Sequence, residues 1–327
     1  GLVTSILPLI LTGETRSYKE WYNWIYWKMR NFGFQSGQIV DVGQMDLIML
    51  DIMARRAGKP LHRFLGAKKD WAAAYKGGGS LLSDDEELVE DMVRYVEEGY
   101  RTIKFKVGSD WGTNMERDVE RLRKVRAAVG SNIEIAVDAN QVFNTEEAVQ
   151  FCQMIKPYHP AWYEEPVHSH DMNAIKVVRE QCGMMVGYGE SMRNGFAFET
   201  YAEKGVDHLM PLVGRMSRMD DLLKIRDLCR EKGLRFSSGG TVWINAAFGA
   251  LYGEDELLEN HEPMTEPIGE TLSIKPEEKN GRLYLPDLPG LPCRLDIEKL
   301  EKNGILENIH YYNTAHMSKS FAVRAAY

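Results

Sequence analysis

The chain has 327 residues, of which 44% are hydrophobic and 27% charged, and 40 Lys+Arg against 48 Asp+Glu give a formal charge of −8. This is the composition of an ordinary folded protein, and the length allows two or three domains or one large α/β barrel with an accessory piece. The acidic balance argues against a nucleic-acid partner, and apolar stretches such as residues 5–12 (SILPLILT) fall well short of the roughly 20 residues that a membrane span needs.

Residues 1–12 lack the basic opening of a signal peptide. Residues 17–32 (SYKEWYNWIYWKMRNF) have a helical pattern with aromatics on more than one face, which predicts packing on both sides. Residues 40–57 (VDVGQMDLIMLDIMARRA) carry apolar residues at helical spacing and stop at Gly58-Lys59-Pro60. From Trp71 onward, short apolar runs alternate with amphipathic helical patterns. The runs are 72–75, 102–107, 133–137, 161–164, 184–190, 206–212 and 234–238; helical patterns cover 84–98, 115–129, 145–156, 173–182 and 219–232. Such alternation predicts right-handed βαβ units and a parallel sheet. The near-constant step of 22 to 32 residues between strand ends favours a closed (β/α) barrel over a doubly wound sheet. Residues 247–260 supply the last helix and strand, and 281–296 (GRLYLPDLPGLPCRLD) read as extended chain outside the barrel. The four cysteines, Cys152, Cys182, Cys229 and Cys293, have no metal-ligand spacing, and most of them read as reduced core thiols of a cytoplasmic protein.

Barrel enzymes build their sites at the carboxyl ends of the strands. Taken in order, those ends present Lys104 and Lys106, then Asp138 and Asn140, then Glu164 and Glu165, then Glu190. A lone acid at a strand end is ordinarily a helix cap or a solvated loop residue. Asp138, Glu164 and Glu190, however, follow one another at equal spacing on consecutive strands, which sets three acids side by side around one mouth. Without a cation they would repel, and an all-oxygen set with few protein ligands suits Mg²⁺. Glu165 follows Glu164 directly and is expected to point away. Lys104 and Lys106 share one strand face. Ile103, Phe105 and Val107 suit the helix layer, so the lysines are expected inside, each lowering the pKa of the other, as a lysine base near neutral pH requires.

These motifs, KFKVG at 104–108, VDAN at 137–140, EEP at 164–166 and GE at 189–190, resemble the barrel of the enolase superfamily, within it the mandelate racemase/muconate lactonizing enzyme family. Residues 41–66 (DVGQMDLIMLDIMARRAGKPLHRFLG) are similar to the helix before the family's barrel, and 283–292 (LYLPDLPGLP) to its returning C-terminal segment. The resemblance implies a TIM-type barrel over residues 71–260, with an α+β capping domain made from both chain ends, 1–70 and 261–327. By the same resemblance the sequence opens within the helical part of that cap, beyond its usual first strands.

The resemblance also implies a Mg²⁺-dependent enzyme that removes a proton α to a carboxylate. Asp138, Glu164 and Glu190 match the metal ligands, Lys106 matches the catalytic lysine and Lys104 its partner, closest to the mandelate racemase branch. That branch places an Asp on the sixth strand and a His on the seventh as a second base. Here Leu212 or Val213 and Gly239 or Gly240 stand in those places. A single lysine still serves a syn elimination, so dehydration of an acid sugar is the expected reaction. The alternatives are a racemase or epimerase with an unidentified second base, and a non-catalytic relative that binds a carboxylate. Arg215, His168 and His170 are candidate helpers at the rim. Asn140 is a further substrate contact, and Glu259, near the eighth strand, is placed to bind the substrate carboxylate. The surplus of aromatics in 17–32 (Trp21, Tyr22, Trp24, Tyr26, Trp27) predicts a homo-oligomer.

Overall fold

The computed structural model describes residues 2, 6–10 and 16–306; the tail from 307 onward and parts of the 1–12 stretch lie outside the described residues. Four helices come first: α1 (Leu7–Ile10), α2 (Tyr18–Lys28), α3 (Gly37–Arg56) and α4 (Leu61–Phe64). A capping box opens α2, with Ser17 and Glu20 each accepting from the other's amide. Eight strands follow: β1 (Trp71–Gly78), β2 (Thr102–Lys106), β3 (Glu134–Asp138), β4 (Tyr163–Glu164), β5 (Val186–Tyr188), β6 (His208–Leu209), β7 (Arg235–Ser238) and β8 (Leu257–His261). They lie parallel in chain order, and β8 pairs with β1 to close the barrel.

Helices α5 (Asp85–Glu97), α6 (Met115–Val129), α7 (Thr145–Ile155), α8 (Met172–Cys182), α9 (Gly195–Lys204), α10 (Asp220–Lys232), α11 (Val242–Gly249) and α12 (Glu262–Gly269) follow the successive strands. Side chains of Asp84, Asn114, Asn144, Asp171 and Asn194 each accept an otherwise orphaned amide at the start of their helix. Helix α9 has no counterpart in the sequence reading. Its Phe196 is exposed while Phe198 and Tyr201 are buried, which blurs the apolar stripe that marks a helix. None of the described helices is long and apolar enough to cross a membrane.

Inside the barrel, Tyr75, Ala136, Trp162 and Met210 pack as a plug, with Trp162 set edge-on to both Tyr75 and His208. After α12 the chain forms β9 (Leu272–Ile274), β10 (Glu277–Lys279), β11 (Arg282–Tyr284), β12 (Arg294–Leu295) and α13 (Ile297–Lys302). Strand β11 adds antiparallel to the start of β1, from Trp71 opposite Tyr284. The segment between β11 and β12 then reaches the N-terminal helices: the Gly290 amide donates to the Lys59 carbonyl at 3.0 Å, and the Leu291 amide to Asp51 at 2.7 Å. Buried Lys76 fastens this C-terminal part to the barrel through Glu278 at 2.9 Å and Glu262 at 3.2 Å.

Helices α2 and α3 sit on the loop that follows β6, which carries Arg215. Tyr22 donates to the Ser217 carbonyl at 2.9 Å and Gln44 to the Gly214 carbonyl at 3.0 Å, while buried Asp46 accepts the Met219 amide at 2.8 Å and the Tyr18 hydroxyl. Contact is closest at Gly43, where an added Cβ would lie 1.8 Å from the Met216 carbonyl oxygen. Of the aromatics on α2, Trp21 and Tyr22 are buried, whereas Trp27 stays exposed, as does Phe32 just beyond the helix. Gly43→Ala is therefore expected to cost about 1–3 kcal/mol through overpacking. Gly37→Ala, facing open space on the same helix, should cost nothing; urea unfolding of the two variants checks the contrast.

Candidate active site

Strand β2 turns Lys104 and Lys106 into the barrel, as their alternation with Ile103 and Phe105 requires. Lys104 is fully enclosed and shared among three acids: Glu164 at 2.6 Å, Glu259 at 2.7 Å and Asp138 at 3.6 Å. Lys106, nearer the opening, pairs with the same Asp138 oxygen at 2.5 Å. The second Asp138 oxygen accepts the Asn140 amide at 2.9 Å, and the second Glu164 oxygen accepts Trp162 Nε1 at 3.0 Å. Glu259 has room to reach Lys104 because two strand positions lack side chains. A Cβ added at Gly239 would lie 2.8 Å from one Glu259 oxygen, and one at Gly77 3.3 Å from the other.

Glu190 stands further out and pairs with Arg215 at 2.7 Å. Asn140 lies at the rim and helps line an open cavity of about 840 Å³ together with Lys106, Trp111 and Gln141. His168 is exposed in the loop after β4, where its ring accepts the His170 amide at 3.2 Å, away from the strand-end charges.

Glu165 corrects the expectation that it points away. The strand ends at Glu164, and Glu165 takes a left-handed backbone with φ of +40°, so strand alternation no longer sets its direction. Its carboxylate is buried; one oxygen accepts Gln141 Nε2 at 2.9 Å and the other has no hydrogen-bond partner among the described residues. A second residue that the sequence reading missed is His261, the last residue of β8, two positions beyond Glu259 and so on the same strand face. A polar residue recurring at that spacing was the signal available.

Four carboxylates, Asp138, Glu164, Glu165 and Glu259, thus face two ammonium groups. Burial, then the Asp138 charge, pushes Glu164 up to about 8. Burial, then the charges of Asp138 and Glu190, pushes Glu165 up to about 7. Burial would raise Asp138 too, but Lys106 and Lys104 outweigh it and hold it at about 2. The expected lowering of the Lys106 pKa is not found: burial foremost, and Lys104, do lower it, but Asp138 and Glu164 together raise it by more. Among the described residues, no three His, Cys, Asp or Glu side chains converge on one point, because the acids are held by Lys104, Lys106 and Arg215. The surplus of negative charge and the unpartnered Glu165 oxygen nevertheless fit a divalent cation bound by oxygen donors.

Residues 87–300 match the family model described as enolase C-terminal domain-like. The chain belongs to that family. Among curated relatives, an arabinonate dehydratase of Saccharolobus solfataricus is 28% identical over 87% of this chain and 77% of its own length. An L-Ala-D/L-Glu epimerase of Thermotoga maritima is 30% identical over 64% of this chain and 58% of its own. Among solved structures, an L-talarate dehydratase from Polaromonas sp. JS666, complexed with Mg and L-glucarate, superposes with a TM-score of 0.76 at 25% identity. That match covers 86% of this chain and 77% of the other. The enolase superfamily barrel expected from the sequence is therefore the fold, and the mandelate racemase/muconate lactonizing enzyme likeness holds.

The raised acids set a pH dependence for the metal-free protein. Between the unfolded carboxyl range and about pH 7–8, Glu164 and Glu165 bind more protons folded than unfolded, so their contribution to stability is lost as pH rises through their folded values. His208 and His261, both held below the ordinary histidine value by burial, act in the opposite sense. Their contribution cancels when wild type is compared with Glu165→Gln. Urea unfolding in chelator from about pH 5.5 to about pH 8.5 should show a less negative slope of stability against pH for the variant.

Proposed function

We propose that this chain is a Mg²⁺-dependent dehydratase of acid sugars, with Lys106 as the base that takes the α-proton of the substrate carboxylate. One observation carries the reading: the titratable groups suited to proton transfer lie on one side of the mouth. Lys104 and Lys106 end β2, while the ends of β6 and β7 offer Leu212 and Gly239, which pair with each other. A two-base racemase needs a group on each face of the substrate; a syn elimination needs only one side. Dehydratases among the relatives support the same reading.

Asp138, Glu164 and Glu190 are the residues that would hold Mg²⁺, with Glu165 beside them. Bound there, the ion supplies positive charge to the substrate carboxylate as its α-carbon loses a proton. Lys106 binds near that carbon and takes the proton. It is available as the neutral amine when Asp138 is engaged elsewhere, because burial and the Lys104 charge then lower its pKa against the smaller opposing charge of Glu164. Lys104, clamped by Glu164 and Glu259, keeps its charge and fixes the geometry around the carboxylate. Asn140 and Arg215 line the rim where the sugar hydroxyls lie. Trp27 and Phe32, exposed on the N-terminal part, support assembly as a homo-oligomer.

The test is a panel of acid sugars with the full-length protein and Mg²⁺, read as 2-keto-3-deoxy product and, in D₂O, as α-proton exchange. Wild type should show both on at least one acid. Lys106→Ala should lose both by a factor on the order of 10²–10⁴ while still binding Mg²⁺, and Lys106→Arg should fare no better because guanidinium does not deprotonate near neutrality. Neither product nor exchange from wild type across the panel contradicts the reading.

A further inference from the structure

The elimination also needs a proton delivered to the hydroxide that leaves. We propose that His261 at the end of β8 is a catalytic residue, the acid that protonates the departing hydroxyl on the same face from which Lys106 takes the α-proton. The assignment rests on the dehydratase reading above.

The placement comes from the barrel itself. Strand β1 stands between β8 and β2, and its Gly77 is in register with His261 on one side and Lys104 on the other. No side chain therefore separates the histidine from the lysine pair at that level. A Cβ at Gly77 would come within 3.4 Å of His261 Cδ2, which shows how closely the ring leans across this gap. Strand alternation gives His261 the inward face that takes Glu259 to Lys104. The charges of Glu259, Lys106, Lys104 and Asp138 all act on the ring, which sets it within the same cluster. Its Nδ1 is buried and has no hydrogen-bond partner among the described residues, an arrangement that a substrate hydroxyl would satisfy. The other rim candidates serve less well: His168 is exposed and turned to His170, and Arg215 is committed to Glu190 and does not release a proton near neutrality.

The chemistry balances without a further reagent. The Cα–H bond breaks and its proton passes to Lys106 Nζ. The electron pair becomes the Cα–Cβ double bond as the Cβ–O bond breaks, and the leaving oxygen keeps that bond's pair, takes a proton from His261 and departs as water. The remaining enol becomes the 2-keto-3-deoxy acid when Cβ receives the proton held by Lys106 and the 2-hydroxyl returns one to His261. Burial keeps the ring below the ordinary histidine value, which makes its protonated form a stronger acid, and Glu259 beside it favours that form.

The test is His261→Asn, with His261→Gln as a second variant, on an acid that wild type dehydrates. The expected result is a split: α-proton exchange in D₂O within about threefold of wild type, and dehydration slowed on the order of 10²–10⁴-fold. The 3-fluoro-3-deoxy analogue, whose fluoride leaves without a proton, should restore elimination to within about tenfold of the wild-type rate on that analogue. Dehydration at the wild-type rate in both variants would overturn the proposal and give both proton transfers to Lys106. Equal loss of exchange and dehydration in variants that still unfold cooperatively would also overturn it. A wild type inert in exchange and product contradicts the dehydratase reading itself, and the proposal with it.

Discussion

A buried lysine shared by three carboxylates is the interaction on which this barrel mouth depends. Lys104 has no access to water, and an unpaired ammonium there would be prohibitively costly. Glu164, Glu259 and Asp138, from three different strands, compensate it and so fix the relative positions of β2, β3, β4 and β8 at the end where chemistry takes place. The compensation overshoots. With Glu165 folded back beside Asp138, negative charge exceeds positive, and Glu164 and Glu165 respond by holding their protons to about 8 and about 7. One more positive charge beside these carboxylates would offset that excess.

The space for this cluster comes from what the neighbouring positions lack. Gly77 and Gly239 give up side chains so that Glu259 can reach inward, and the same absence at Gly239 removes any proton-transfer group from the end of β7. The one-sided placement of Lys106 and His261 is thus coupled to the packing of the cluster: a histidine at 239 would displace Glu259 and unbalance Lys104. The N-terminal helices act at a distance, holding through Tyr22, Gly43, Gln44 and Asp46 the loop from which Arg215 meets Glu190.

Much of this was legible in the sequence, for reasons that can be named. The regular return of apolar runs and capped helices marks a closed parallel barrel, and the two-residue spacing of Lys104 and Lys106 against Ile103 and Phe105 fixes which side they face. Asp138 and Glu164 fall at the ends of β3 and β4 as their spacing suggests, while Glu190 lies beyond the end of β5, held out by Arg215. Glu165 was misread because alternation applies only while the strand continues, and a left-handed residue at its end is a backbone event that no residue type announces. The Lys106 pKa was misjudged because the lysine pair was weighed without Asp138 as its immediate partner. His261 went unremarked because short strands leave their last residue uncertain by a position or two, which decides between barrel interior and loop.

The surplus of carboxylates at the mouth fits a binding site for one divalent cation. Calorimetric titration of the chelator-treated full-length protein with Mg²⁺, near pH 8 and without substrate, tests it most directly. The account predicts one ion bound per chain, released or weakened at least tenfold by Asp138→Asn. Failure of the wild-type protein to bind Mg²⁺, or binding that Asp138→Asn leaves unchanged, would contradict it.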